Sequence, residues 1–245
     1  MIALIAVLLG AVAGAIIGSF LATLILRWPA GRQVTRGRSR CDGCTRTLSP
    51  FELIPVLSRA LLGGKCRSCG APIDPLHTRV ELTAAVVGGT ALALAPDASG
   101  LALAAFGWLL IPLCWLDWRH FWLPDRLTLL LAIGGLGGGA LLGVDIVSQL
   151  IGGTIGWVSL AAVGAGYRRW RRREGLGRGD PKLLGAVGLW VGWVPLAPIL
   201  ALAAALGLVM ALRRGLVAVD PIPFGPMIGI ASWCAAATML AAHSV

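Results

Sequence analysis

Charge is what this chain has little of. Only 13% of its 245 residues are charged, against roughly 25% in a soluble domain, which excludes an ordinary water-soluble fold. Acid is scarcer still, with 11 Asp and Glu facing 21 Lys and Arg. The connections around residues 96–100, 145–148 and 194–196 contain no Lys or Arg. The first apolar run lacks a basic segment ahead of it and a convincing cleavage site, and Arg27 and Arg32 follow it. It is therefore read as a retained helix and not as a cleaved signal peptide. No inverted repeat or pair of helices interrupted at mid-membrane depth is visible, which counts against a transporter.

What fills the chain instead is hydrocarbon: 57% of the residues are hydrophobic. Apolar runs near 2–26, 80–96, 100–117, 127–144, 149–167, 183–194, 196–212 and 223–242 mostly approach the ~20 residues that cross a bilayer core. The expected fold is an all-α polytopic membrane protein of about eight transmembrane helices. The boundary between 183–194 and 196–212, at Trp193-Val194-Pro195, is the least defined. The 34 glycines suit close helix approach in lipid. All the basic residues lie at span ends or in alternate loops, ten of them in 27–79 and seven in 168–182. Positive charge stays on the cytoplasmic side, so eight spans with both termini outside place every cation inside. The net charge of +10 then marks topology and contact with anionic membrane lipid, not nucleic acid. Three segments are expected: a first transmembrane helix at 1–28, a cytoplasmic four-cysteine loop at 29–79, and a membrane bundle at 80–245.

The loop carries Cys41-Asp-Gly-Cys44 and, 21 residues on, Cys66-Arg-Ser-Cys69. Two C-x2-C pairs suit two tight turns that together wrap one tetrahedral zinc ion. Two disulfides are the alternative, disfavoured in the reducing cytoplasm. Four thiolates leave no open coordination position, so the zinc is expected to be structural and to supply folding free energy to a loop with little core. Gly43 and Gly70 are expected to give the positive φ of the turns. Cys114 and Cys234, inside apolar runs, read as small buried packing residues.

Acid beside hydrocarbon is costly and marks function by default. Asp117 closes the third span and Asp180 opens the sixth, so both fall near one membrane face. Two carboxylates a few ångströms apart do not both ionise cheaply, and one keeps a proton. The ionised one can take a proton from water while the other polarises a peptide carbonyl, an aspartic protease without a catalytic metal. The pair titrates as a unit, and neither member has a fixed role. Gly177 and Gly179 are expected to bend the backbone and admit a substrate strand near Asp180. Lys182 is expected to bias the pair, anchor the inner surface or snorkel, and Asp125 to cap the fourth span.

These residues, in this order, resemble the type IV prepilin peptidase family of GxGD membrane aspartic proteases. The resemblance runs through Gly18-Ser-Phe-Leu21 with Arg27 and Pro29, the paired C-x2-C loop with Ile54-Pro55, and Val80-Glu81-Leu82. It continues through Asp117 to Pro124-Asp125, Gly177-Arg-Gly-Asp180-Pro-Lys-Leu183 and Ile222-Pro-Phe-Gly-Pro226. It implies Asp117 and Asp180 as the catalytic pair and Cys41, Cys44, Cys66 and Cys69 as zinc ligands. It also implies cleavage of the basic leader of type IV prepilins and pseudopilins at the cytoplasmic face of the bacterial inner membrane. A second activity is implied for many members: methylation of the new N-terminus from S-adenosylmethionine. The chain departs from the family pattern at Ala22 and Leu53, where Asn is usual, both in the part associated with methylation. A peptidase without methyl transfer is the first alternative. A proton-coupled membrane transporter and a non-enzymatic assembly scaffold are the others.

Overall fold

The computed structural model describes residues 2–34, 37–173, 175–215 and 220–243. Arg36, one of the loop cations, lies outside them. Helix dominates, and among the described residues extended pairing is limited to two isolated β-bridges. The chain forms two compact units, Met1–Ala93 and Leu94–Val245, so the helix beginning at Leu76 groups with the cysteine loop rather than with the bundle that follows.

The first unit holds α1 (Ile2–Arg27), the short α2 (Leu57–Leu61) and α3 (Leu76–Leu94). Gly10, Gly14 and Gly18 recur every fourth residue along one side of α1. They face the backbone of Gly88, Ala84 and Glu81 on α3, and a methyl on Gly18 would sit 2.8 Å from Glu81 Cα. Such a small-residue ridge lets two helix backbones approach closely, the main source of packing energy where lipid is as apolar as the core. The loop is fastened to both helices. From the end of α1, Arg27 donates to the Arg40 carbonyl at 3.0 Å and Asp42 receives both Arg27 and Arg32. From α3, buried Glu81 accepts the Val56 amide at 2.7 Å.

The second unit comprises α4 (Ala98–His120), α5 (Asp125–Leu141), α6 (Ile146–Arg171), α7 (Asp180–Val191), α8 (Leu196–Arg214) and α9 (Gly225–His243). Asp97 and Asp145 start α4 and α6 by accepting the orphan amides of the first turn, Ser99 and Ser148, each at 2.9 Å. The least defined boundary falls at Gly192, which ends α7 with φ +76, and at Pro195, which starts α8.

α7 occupies the centre of this unit, against α5, α6 and α9. At ~1.5 Å per residue its 12 residues reach about 18 Å, well short of a ~30 Å hydrocarbon core, and neighbours cover nearly all of it. Glycines make that possible. Gly152 and Gly156 of α6 lie on the α7 backbone, while Gly135, Gly138 and Gly139 of α5 receive Leu189 and Trp190. Trp190, 2% exposed, stacks on Phe106 at 4.8 Å and donates to the Leu131 carbonyl at 2.8 Å. A buried indole N–H needs such a partner.

Each of the eight apolar runs is mostly helical, and among the described residues five helices (α1, α4, α6, α8 and α9) are long and apolar enough to cross a membrane by length and composition alone. α5 and α7 are shorter, at 17 and 12 residues, and α3 carries His77, Arg79 and Glu81. The chain is a membrane protein. One expectation needs correction: Cys234 is exposed on the outside of the bundle, and Cys114 is only partly buried. The apolar character of a span does not say which of its faces meets lipid.

Candidate active site and metal centre

Asp117 lies one turn before the end of α4, and Asp180 is the first residue of α7. They are 6% and 4% exposed, respectively. Each carboxylate has one oxygen held by a glycine amide. Gly177 donates to Asp180 Oδ2 at 3.1 Å, and Gly225 to Asp117 Oδ2 at 2.8 Å. The first contact is local, three residues apart; the second joins α4 to the start of α9 across 108 residues. A carboxyl pair with one oxygen of each anchored can place the others toward a shared water, the arrangement acid–base hydrolysis requires.

The two glycines before Asp180 do not draw on glycine's left-handed backbone freedom. Neither Gly177 nor Gly179 takes a left-handed conformation, and Gly179 is helical at φ −81, ψ −29. What each supplies is space. A methyl on Gly177 would meet Asp180 Oδ2 at 2.9 Å, and one on Gly179 would meet Leu123 Cβ at 2.6 Å. The room at Gly179 is thus already taken by the α4–α5 connection.

Asp125 does not cap α5. It is the first helical residue after Pro124, and its carboxylate pairs with Lys182 of α7 at 2.6 Å. Lys182 is turned to this partner, and the pair ties the start of α5 to the start of α7 beside Asp180. Next to it opens a cavity of about 460 Å³ between the end of α6 and the turn leading to Asp180. Trp157, Leu160 and Leu176 line it with hydrocarbon, and Arg168, Arg178 and Lys182 add cationic groups.

In the first unit the four cysteine sulfurs of the loop lie within 4.8 Å of one another, and all four are free thiols. Each knuckle is a turn of the same construction. The amides of Thr45 and Gly70 donate back to the carbonyls of Cys41 and Cys66, each at 2.9 Å. The positive φ falls on the residue after the second cysteine, Gly70 at +71 and Thr45 at +57. Gly43 is needed for another reason: a methyl there would meet Ala71 Cβ at 2.8 Å and Cys69 Sγ at 3.5 Å. The knuckle amides also favour thiolate. Those of Cys69 and Ser68, with a hydrogen bond from Cys41, hold the Cys66 thiol down at about 6. Against a hydrogen bond from the Ala71 amide, burial and the neighbouring sulfurs push the Cys69 thiol up to about 11. The four sulfurs are placed so that they could hold one metal ion.

Three contributors escaped the sequence reading. Glu81 and Gly225 both lie in stretches that carry the family resemblance, but nothing in the sequence says which amide meets which carboxylate. Arg46, paired with Glu52 and beside Cys66, had no signal beyond its charge.

Residues 12–94 match the bacterial peptidase A24 N-terminal domain, and residues 104–212 the type IV leader peptidase family. A prepilin leader peptidase/N-methyltransferase of Dichelobacter nodosus is 41% identical over 197 residues, covering 80% of this chain and 69% of the relative. One from Aeromonas hydrophila is 38% identical over 206 residues, covering 81% and 70%. One from Pseudomonas aeruginosa is 36% identical over 203 residues, covering 80% and 70%. No solved structure matches. With identity of this order sustained through both halves, the chain belongs to the type IV leader peptidase family.

Proposed function

We propose that this chain is a membrane aspartic endopeptidase that removes the basic leader of type IV prepilins and pseudopilins, with Asp117 and Asp180 as its catalytic pair. The observation that carries the reading is two buried carboxylates, from α4 and α7 of one compact unit, each steadied by a glycine amide. One carboxylate takes a proton from water, which attacks the scissile carbonyl, while the protonated partner gives its proton to the carbonyl oxygen. Collapse of the tetrahedral intermediate passes a proton to the leaving amine and restores the pair. The amphiphilic cavity beside Gly177 and Lys182 supports approach of an apolar, surface-held substrate. Asp125 supports the centre through Lys182.

Basic residues gather in the cysteine loop and, separately, in 168–182 beside Asp180. This supports a bacterial inner-membrane location with both regions facing the cytoplasm and anionic lipid. Cys41, Cys44, Cys66 and Cys69 are read as holding structural zinc. Bonds of about 2.3 Å to a tetrahedral zinc set sulfurs about 3.8 Å apart, and Cys41 and Cys69 are 3.8 Å apart. In functional terms the chain divides into the helix at 1–28, the metal loop at 29–79 and the peptidase bundle at 80–245. The relatives are named as N-methyltransferases as well, and methylation of the new N-terminus from S-adenosylmethionine is proposed here as the second activity.

The test is co-expression with a prepilin. Asp117→Asn and Asp180→Asn should each abolish cleavage while the protein still inserts, and Asp125→Asn, which loses only an exposed ion pair with Lys182, should retain it. Substantial cleavage by either of the first two variants removes the dyad. Methyl transfer from labelled S-adenosylmethionine to a pre-cleaved pilin tests the second activity separately.

A further inference from the structure

The residue before α9, Phe224, has no side-chain acceptor with which to cap it. Phe224 supplies the carbonyl that accepts the Met227 and Ile228 amides, both at 3.1 Å. The first-turn amides of a helix have no internal partner. Here Pro226 has none to offer and Met227 is engaged, which leaves the Gly225 amide as the donor at the tip of α9. Asp117 accepts it at 2.8 Å, both residues being buried. The carboxylate of α4 therefore caps a helix 108 residues away in sequence. Gly225 does not owe its identity to backbone conformation, since it is not among the positive-φ glycines. It owes it to room: a methyl would sit 2.8 Å from Asp117 Oδ2 and 3.1 Å from its Cγ.

We propose that Gly225 is a positioning residue of the peptidase centre, whose amide holds one oxygen of Asp117 and whose missing side chain leaves the space that the carboxylate occupies. This rests on the dyad reading above. With Oδ2 fixed on α9, the remaining oxygen of Asp117 is the one available to water and to Asp180. A methyl at 225 would press on the Asp117 side chain alone, on Oδ2 and Cγ and, at 3.2 Å, on Cβ, so the strain falls on the carboxylate and is costly to the chemistry. A shift approaching 1 Å at a reacting group costs on the order of 100-fold in rate.

The experiment uses the purified full chain in liposomes with a prepilin, measuring kcat, KM and thermal stability. Gly225→Ala should lower kcat on the order of 100-fold, with KM close to wild type and a fall in melting temperature no larger than that of Gly229→Ala. Gly229→Ala is the comparison, one turn along on the same helix pair. Its methyl would press on Cys114 Sγ and not on the carboxylate. It should lower stability while leaving kcat unchanged, and adding Cys114→Ala should restore the stability. Wild-type kcat in Gly225→Ala overturns the proposal. So does a loss of kcat in both variants that merely follows their loss of stability. If Asp117→Asn itself still cleaves, the dyad falls; if it is dead and Gly225→Ala is fully active, only the positioning role falls.

Discussion

Gly179→Ala separates two accounts of the G-x-G-D turn, one in which its glycines clear a path for substrate and one in which they make room for the protein itself. A methyl at 179 would lie 2.6 Å from Leu123 Cβ, 2.9 Å from Cδ1 and 3.2 Å from Cγ. Ordinary carbon contacts are about 3.5–4.0 Å, so the overlap approaches 1 Å. The nearest of these atoms is Cβ, which cannot swing aside without its backbone. The strain must move either the turn before Asp180 or the connection after α4, and each adjoins the helix that carries one member of the pair. Overpacking of this kind costs about 1–3 kcal/mol, and a displacement of that size costs on the order of 100-fold in cleavage. The assay is the rate of leader removal and the melting temperature of the purified chain, for Gly179→Ala, Leu123→Gly and the double variant. Leu123→Gly removes the colliding atoms, so the double variant should recover most of the cleavage lost by Gly179→Ala. If the double variant stays inactive while folded, the space belongs to the substrate and the packing account is wrong. Wild-type behaviour of Gly179→Ala alone refutes both.

The purified chain should contain about one zinc, and changing any of Cys41, Cys44, Cys66 or Cys69 to Ser should lower the metal content and open the loop to protease. A metal-free wild-type loop equally resistant to protease would refute the structural role. Thr45 carries a β-branched side chain at φ +57, where strain costs on the order of 1–3 kcal/mol. Thr45→Gly should therefore slow metal loss to a chelator, and faster loss would contradict this. Glu52 is held down to about 2 from an ordinary 4.5, first by its hydrogen bond with Arg46 and then by the Ser49 amide. A depressed carboxyl stabilises the fold above its ordinary value and loses that effect as pH falls toward the folded value. Loop protection from protease should thus decline between about pH 4.5 and 2, and Glu52→Gln should flatten the part of that decline that Glu52 contributes.

How much of this was legible beforehand follows from what kind of interaction each feature needs. Each apolar run satisfies its own backbone hydrogen bonds in a helix, the only option for a single segment in lipid, so the eight helices could be read from composition alone. The C-x2-C knuckles are local turns, and their spacing alone brings each pair of sulfurs together. Asp117 and Asp180 stood out because acid is rare beside hydrocarbon. Tertiary structure decided the rest. In water a helix shows its buried face by a polar stripe on the other side, but lipid and protein core are both apolar, and the sequence pattern does not distinguish them. Hence Cys234 turned outward, and the central place of Trp190 against Gly138 could not be foreseen. Whether Asp125 would cap its helix or reach Lys182 depended on how α5 meets α7. The clamp between Gly225 and Asp117 depended on α9 starting against α4. Those choices are made by which helix faces meet, a property of the packed bundle and of no single segment.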